Sequence, residues 1–405
     1  MVEEILYRIR LGKHYWRSAP FVEMAELYMS RFLRTVSQSM IGLFVAVFLY
    51  QKGYSIVNIL LLVGGYYSLR VIFSLLSAYY VAWEGPKRAM LVSNILIVPS
   101  LFSLTIIDTY TVASVVSYFF FQALSFSLYY VAADTQFSSI KHEQNVGKEI
   151  GWLQIVEKIG TGVAPMIGGF VAYAFGPETV MWIAAGLSVA SAFPLFLSPE
   201  KIRRRQKIIF RGFPFRILRQ QLTSYRFVGV DYVTSSAIWS LFVAVVIFGT
   251  ADNSVYAKLG VVFSISLAAS IISSHLYGVL IDRRHSRELF KTGVFINAAL
   301  HATRPFIGNP VAVGVMNVAN EAGTNGYQMP YVQNEYDTAD NLPGYRVVYL
   351  ASMYANLCFG AATMSFLSAL LVWQLGDVTG MQCSFFVAAV ATLFLLRSGF
   401  PALRR

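Results

Sequence analysis

The 405-residue chain has little charge: 13% of its residues are Asp, Glu, Lys or Arg, against 56% that are hydrophobic. So small a charged fraction cannot cover a soluble globule of this length, and a mean hydropathy of +0.56 places the chain in a bilayer. Cysteine is almost missing. Cys358 and Cys383 both fall inside predicted membrane helices, which excludes a disulfide framework and a thiolate metal site. The five histidines, His14, His142, His275, His285 and His301, form no pair at metal-ligand spacing. There is no nucleophile elbow and no Gly-x4-Gly-Lys-[Ser/Thr] phosphate loop, so neither an enzyme nor an ATP-driven pump is expected, and no cofactor is implied. Acidic residues are outnumbered, 21 against 32 basic ones, giving a net charge of +11. The basic residues flank apolar stretches instead of forming one face with interleaved aromatics, which excludes nucleic acid as a partner.

What the chain does have is long apolar runs. A membrane span needs about 20 mainly apolar residues, and twelve such spans read at 31–50, 55–81, 88–107, 112–138, 150–175, 179–198, 227–249, 258–281, 288–307, 310–332, 346–374 and 380–397, numbered here 1 to 12. The chain is therefore an all-α polytopic membrane protein surrounded by lipid. With the N-terminus in the cytoplasm, nearly all Lys and Arg fall in cytoplasmic segments, leaving Lys52, Lys258 and Arg304 outside and Arg70 and Lys158 within the membrane. The positive-inside rule thus puts both termini in the cytoplasm and the protein in the plasma (inner) membrane. Residues 1–30 mix Arg8, Arg10, Lys13 and Arg17 with Ile5, Leu6, Ile9, Tyr15 and Trp16, as in an amphipathic helix on the inner leaflet, and lack the apolar core of a signal peptide. Residues 199–226 carry nine Lys and Arg broken by Pro199, Gly212 and Pro214, and read as a basic cytoplasmic linker.

That linker separates two similar halves. Leu43-Phe44-Val45-Ala46-Val47 recurs unchanged at Leu241–Val245, and Tyr130-Val131-Ala132-Ala133-Asp134 is echoed by Tyr331-Val332-Gln333-Asn334-Glu335, both about 200 residues later. The shared offset divides the chain into a six-helix bundle at 31–198, a second at 227–397 and a short tail at 398–405, the plan of a secondary transporter.

At the turn between spans 8 and 9 the chain reads Gly278-Val279-Leu280-Ile281-Asp282-Arg283-Arg284-His285-Ser286-Arg287. It resembles the major facilitator superfamily, whose loop motif is Gly-x-Leu-x-Asp-Arg-x-Gly-Arg-Arg; the twelve-span plan and half-chain repeat extend the likeness over residues 31–397. The resemblance implies twelve helices in two pseudo-symmetric six-helix bundles and a gate at Gly278, Asp282, Arg283 and Arg287. Asp282 is a short acceptor suited to free amides at a helix start, and Gly278 permits close backbone approach. The matching first-half turn has Ala78 and Ala82 in place of the motif's first Gly and its Asp. In span 5, Gly160-Thr161-Gly162-Val163-Ala164-Pro165-Met166-Ile167-Gly168-Gly169 is similar to the superfamily motif associated with exchangers and drug exporters, with Ala164 replacing the Gly before Pro165. Pro165 bends the helix, and Gly168 and Gly169 offer a packing surface. In span 4, Phe119 replaces the arginine that the superfamily often carries three residues before Gln122, so a standard drug–proton exchange is not implied.

Charges at membrane depth point to a transport route, because each costs about 3 kcal/mol unless paired or facing water. Arg70 and Glu321 fall near the centres of their spans, and Glu157 and Lys158 in the inner half of span 5. Arg34, Asp134 and Asp231 lie nearer the cytoplasmic ends, where they can reach headgroups. Span 10 carries Asn317, Asn320, Glu321, Thr324 and Gln328 at intervals of three and four, hence on one face. Gln122, Ser125 and Tyr129 give span 4 a weaker stripe, and span 11 adds Asn356. The resemblance implies that helices 1, 4, 7 and 10 line a central cavity, with the stripes on 4 and 10 facing each other. The expected mechanism is alternating access about this cavity, with Arg70 binding an anionic group or holding Glu321 or Glu157, and Glu321, with Glu157, handling H+. Export of small amphipathic compounds, suggested by the Pro165 motif, and proton-coupled uptake of a polar or anionic metabolite, suggested by Arg70 and span 10, both stay open, as does a non-transporting receptor with a carrier fold. A monomer acting on a small molecule is expected in either transport case.

Overall fold

The computed structural model describes residues 19–403 apart from 43, 141–145, 200–204, 207, 209, 283, 284, 343, 401 and 402, and leaves aside the side chains of 19–22, 146–151 and 282. Most of the expected N-terminal segment and part of the basic linker therefore lie outside the described residues.

Apolar runs of this length satisfy every backbone amide internally, so they fold as helices. In chain order they are α1 (Glu23–Gln51), α2 (Ile56–Glu84), α3 (Pro86–Thr105), α4 (Thr111–Ile140), α5 (Trp152–Phe175), α6 (Pro177–Phe196), α7 (Phe215–Phe248) and α8 (Ser254–Ile281). They are followed by α9 (Ser286–Thr303) and α10 (Pro310–Asp340), then α11 (Arg346–Leu375) and α12 (Asp377–Arg397). All but α9 and α10 are long and apolar enough to cross a membrane; these two are the polar ones, and no strand occurs among the described residues. α7 starts at Phe215, so the end of the basic segment is already helical. Within it the backbone widens into π-helical turns over Thr234–Ile238 and Val243–Phe248, an uncommon geometry that re-aims side chains.

The helices form two bundles with the same internal wiring. In the first, α1 packs on α5 and α6, α4 on α2 and α3, and α6 on α3 and α5; in the second, α7 packs on α11 and α12, α10 on α8 and α9, and α12 on α9 and α11. Gly176 (φ +87°) joins α5 to α6 and Gly376 (φ +84°) joins α11 to α12, so a left-handed turn open to glycine recurs 200 residues on. Close packing recurs as well. Gly160 of α5 faces Thr35 of α1, and Gly360 of α11 faces the Arg226 carbonyl of α7, where any side chain would collide.

Two seams join the bundles: α2 along α11 and α5 along α8. In the second, Gly169 faces the Tyr256 carbonyl and Gly260 faces the Pro165 carbonyl. The bundles also touch at both ends. Opposite the termini, Gln51 of α1 donates to the Thr250 carbonyl at 3.2 Å and accepts from the Tyr256 hydroxyl at 2.5 Å. At the terminal end Tyr336 donates to Asp134 at 3.0 Å and Ser138 to Asp340 at 3.4 Å.

Gly229→Val drives a side chain into the Leu357 carbonyl across the α7–α11 contact, and should cost about 1–3 kcal/mol, seen as a lowered Tm in detergent. Gly186→Ala, which meets open space, should leave Tm unchanged or raise it.

Candidate transport site

Among the described residues one ion pair crosses between the bundles at membrane depth. Lys158 Nζ of α5 lies 2.7 Å from Glu321 Oε2 of α10, and Ser270 of α8 donates to the same oxygen at 2.9 Å. The side chains are 17% and 26% exposed, so the pair is neither sealed nor freely solvated. The expected partnership of Arg70 with Glu321 or Glu157 is not formed: Lys158 holds Glu321 and Arg31 holds Glu157.

The polar stripe of α4 turns into its own bundle. Gln122 donates to Gln38 of α1 at 2.9 Å and accepts from Ser100 of α3 at 3.0 Å. Ser125 accepts from Arg34 of α1 at 2.8 Å and donates to the Ser93 carbonyl at 2.6 Å, while the Tyr129 ring lies 4.2 Å from the Arg34 guanidinium carbon. The stripes of α4 and α10 therefore do not face one another at midspan; the two helices meet at the terminal end, through Asp134 and Tyr336. There Arg31 pairs with both Asp134, at 3.2 Å, and Glu157. Arg70 lies at the seam of α2, α4 and α11, ringed by Tyr66, Tyr67, Phe126 and Tyr354 at 5.2–5.9 Å.

Most of the α10 stripe is absorbed by its own bundle. Asn317 accepts from the Trp239 indole at 2.8 Å and donates to the Val262 carbonyl at 3.2 Å. Asn320 accepts from Arg304 at 2.8 Å, Thr324 accepts from Asn297 at 3.1 Å, and Gln328 is half-buried. Asn356 accepts from Arg226 of α7 at 2.8 Å and so points away from Arg70. A buried network that the sequence did not expose lies behind this stripe. Asp231 of α7 bonds His301 Nε2 of α9 at 2.7 Å, accepts from the Tyr327 hydroxyl of α10, and accepts from Ser235 at 3.1 Å. Arg304 Nη1 lies 2.9 Å from His301 Nδ1. An arginine only donates, so Nδ1 is the acceptor and the proton sits on Nε2, directed at Asp231; the imidazole is neutral and relays charge between the two ions. In sequence Asp231 reads as able to reach headgroups and Arg304, beside Pro305, as an outer turn; in the structure they are 2% and 1% exposed. The available signal was three ionisable residues in otherwise apolar segments.

Residues 27–337 match the sequence profile of the Major Facilitator Superfamily. The chain belongs to that superfamily. Solved superfamily-fold structures agree over nearly its whole length: the E. coli fucose:proton symporter FucP at 15% identity, covering 96% of this chain and 99% of the symporter, with a TM-score of 0.67. A POT family transporter in complex with 5-aminolevulinic acid matches at 11% identity, 94% and 96% coverage and a TM-score of 0.71. Another, with a thioalcohol conjugated peptide, matches at 11%, 92% and 95%, and 0.71. No curated protein matches by sequence. This superfamily chain is thus a multi-pass membrane transporter and not an enzyme.

Of the expected gate residues, Gly278 has open space beside it, so the close backbone approach expected there is not made in this arrangement. Asp282 directly follows α8 and Arg287 lies half-buried in the first turn of α9; the Asp282 side chain and Arg283 are outside the described residues. In the span 5 motif, Pro165 lies inside the helix, Gly168 faces the Met40 carbonyl of α1, and Gly169 faces α8, so this helix packs closely on both neighbours.

Asp231→Ala would strand Arg304 and His301 in a buried site. It should destabilise the protein by about 3–5 kcal/mol, read as a fall in Tm well beyond that of a surface Asp→Ala substitution.

Proposed function

We propose that this transporter moves a small polar or anionic metabolite by alternating access and couples the movement to protons at Glu321. The observation that carries the reading is the Lys158–Glu321 pair: it is an ionic bridge between the two bundles at membrane depth, and it is partly open. Protonation of Glu321 removes its charge, frees Lys158, and loosens one bundle from the other; deprotonation restores the bridge. The bundles rock about the glycine-lined α5–α8 seam and the α2–α11 seam, and the contacts of Gln51 at one end and of Asp134 with Tyr336 at the other alternate. The fucose:proton symporter among the solved relatives supports the choice of ion.

Uptake of a polar or anionic metabolite is favoured over export of amphipathic compounds. The glycines of the export-associated motif are occupied in packing, whereas Arg70 has no carboxylate partner among the described residues. In this reading the basic end faces the cytoplasm of a cell whose plasma (inner) membrane holds the protein as a monomer.

The test uses proteoliposomes enclosing a pH dye, challenged with gradients of sugars, amino acids and organic anions. At least one class should acidify the lumen in the wild type, and Glu321→Gln should reduce that signal to the level of empty liposomes while Tm stays close to wild type. Substrate-driven proton movement that survives Glu321→Gln would overturn the coupling role.

A further inference from the structure

We infer that Arg34 and Arg70 form the anion pocket of this transporter and that its ligand is a monoanionic aryl carboxylate. The inference deepens the reading of an anionic substrate and rests on it. It starts from an imbalance of charge. Three arginines are buried in the first bundle near its interface with the second: Arg31, Arg34 and Arg70, at 6%, 3% and 3% exposure. Arg31 takes both carboxylates within reach, Asp134 and Glu157. Arg34 is held by neutral acceptors alone, Asn94 Oδ1 at 2.5 Å and Ser125 Oγ at 2.8 Å. Arg70 has one long bond, to the Tyr66 hydroxyl at 3.3 Å, and its buried Nε has no partner. Among the described residues Arg34 and Arg70 thus have no carboxylate at ion-pair distance, in a low-dielectric setting where a buried charge is tolerated if a ligand supplies its partner.

The walls narrow the class of that ligand. The Phe126 ring lies 5.5 Å from the Arg34 guanidinium carbon and 5.2 Å from that of Arg70, so it stands within reach of both cations. Tyr66 and Tyr67 flank Arg70 from its own helix. Tyr130 of α4 stacks on Tyr354 of α11, with centroids 5.1 Å apart and planes 22° from parallel, and Tyr354 also reaches Arg70. Rings from both bundles therefore surround the Arg70 guanidinium. An arginine fork matches a carboxylate in two parallel hydrogen bonds, and flat ring walls suit a flat apolar body stacked between them. Cation–π contact holds Arg70 in the absence of ligand; a bound carboxylate replaces it with a full counter-charge, and Arg34, across the Phe126 ring, adds to the positive potential.

The experiment is thermal unfolding of the full-length protein in detergent at fixed pH, titrated with sodium benzoate, its neutral isostere benzamide, and the aromatic cation tetraphenylphosphonium. Benzoate should raise Tm saturably and the other two should not. Arg70→Gln should weaken the apparent benzoate affinity by about 30-fold or more, as for loss of one partner of a buried charge pair, and Arg34→Gln should weaken it to a smaller degree. Arg70→Lys keeps the charge and loses the fork, so it should fold and bind weakly, which decides the matter if Arg70→Gln does not fold. No saturable benzoate shift, a shift equal in benzamide, or one unchanged in both arginine variants overturns the pocket. Because this readout needs no gradient, its failure is separate from that of proton coupling: benzoate binding without proton flux leaves the pocket standing, and flux driven by an uncharged compound leaves the coupling standing.

Discussion

The cost of a charge in a low-dielectric interior governs this molecule. Lipid is as apolar as leucine, so apolar side chains alone do little to choose which helix meets which, or in what register. Buried ionic and hydrogen-bonded groups make that choice, because each must find its partner on another helix. Arg31 gathers α1, α4 and α5, and through Asp134 reaches Tyr336 of α10. Asp231, His301 and Arg304 fasten α7 to α9, with Tyr327 and Asn320 adding α10. Lys158 and Glu321 are the corresponding tie across the bundles.

Backbone contact and side-chain contact divide the interface between them. Along the α5–α8 seam glycines let main chains touch, which in the proposed rocking lets the bundles turn with little change in the atoms that meet. At the two ends the bundles are joined by individual hydrogen bonds from Gln51, Tyr256, Ser138 and Tyr336, which can be exchanged for water one at a time. A pivot at the seams and a latch at each end follow from where the sequence puts its glycines and its polar residues.

The spans, the half-chain repeat and the superfamily were legible in the sequence because apolar length and a repeated offset survive without knowledge of contacts. Glu321 and Lys158 stood out singly, as charges in apolar runs, but their pairing joins residues 163 positions apart and no local pattern announces it. Intervals of three and four put the polar residues of α10 on one stripe, yet helical periodicity does not say what lies opposite. Asn317, Asn320 and Thr324 turned out to serve Trp239, Arg304 and Asn297 of their own bundle. Arg304 was obscured by Pro305, which marks a chain reversal and hides the fact that a short 3-10 turn folds the guanidinium inward. For α4 the same limit applied: Gln122 and Ser125 were visible as polar, and their inward direction was not.

The repeat offset has a consequence for how the two halves share work. Residues about 200 apart occupy equivalent places in the two bundles, and the chemistry there is not copied: in α5 and α11, where Gly160 matches Gly360, Lys158 corresponds to Cys358, and in α4 and α10, where Tyr130 matches Tyr331, Glu321 corresponds to Phe120. The two halves share their wiring and glycine turns while their membrane-depth charges differ. In the transport cycle proposed above, the doubled scaffold therefore acts as an unlike pair of electrodes: the guanidinium of Arg70 sits at the α2–α11 seam and the carboxylate of Glu321 beside the α5–α8 seam, one half taking the anion and the other the proton.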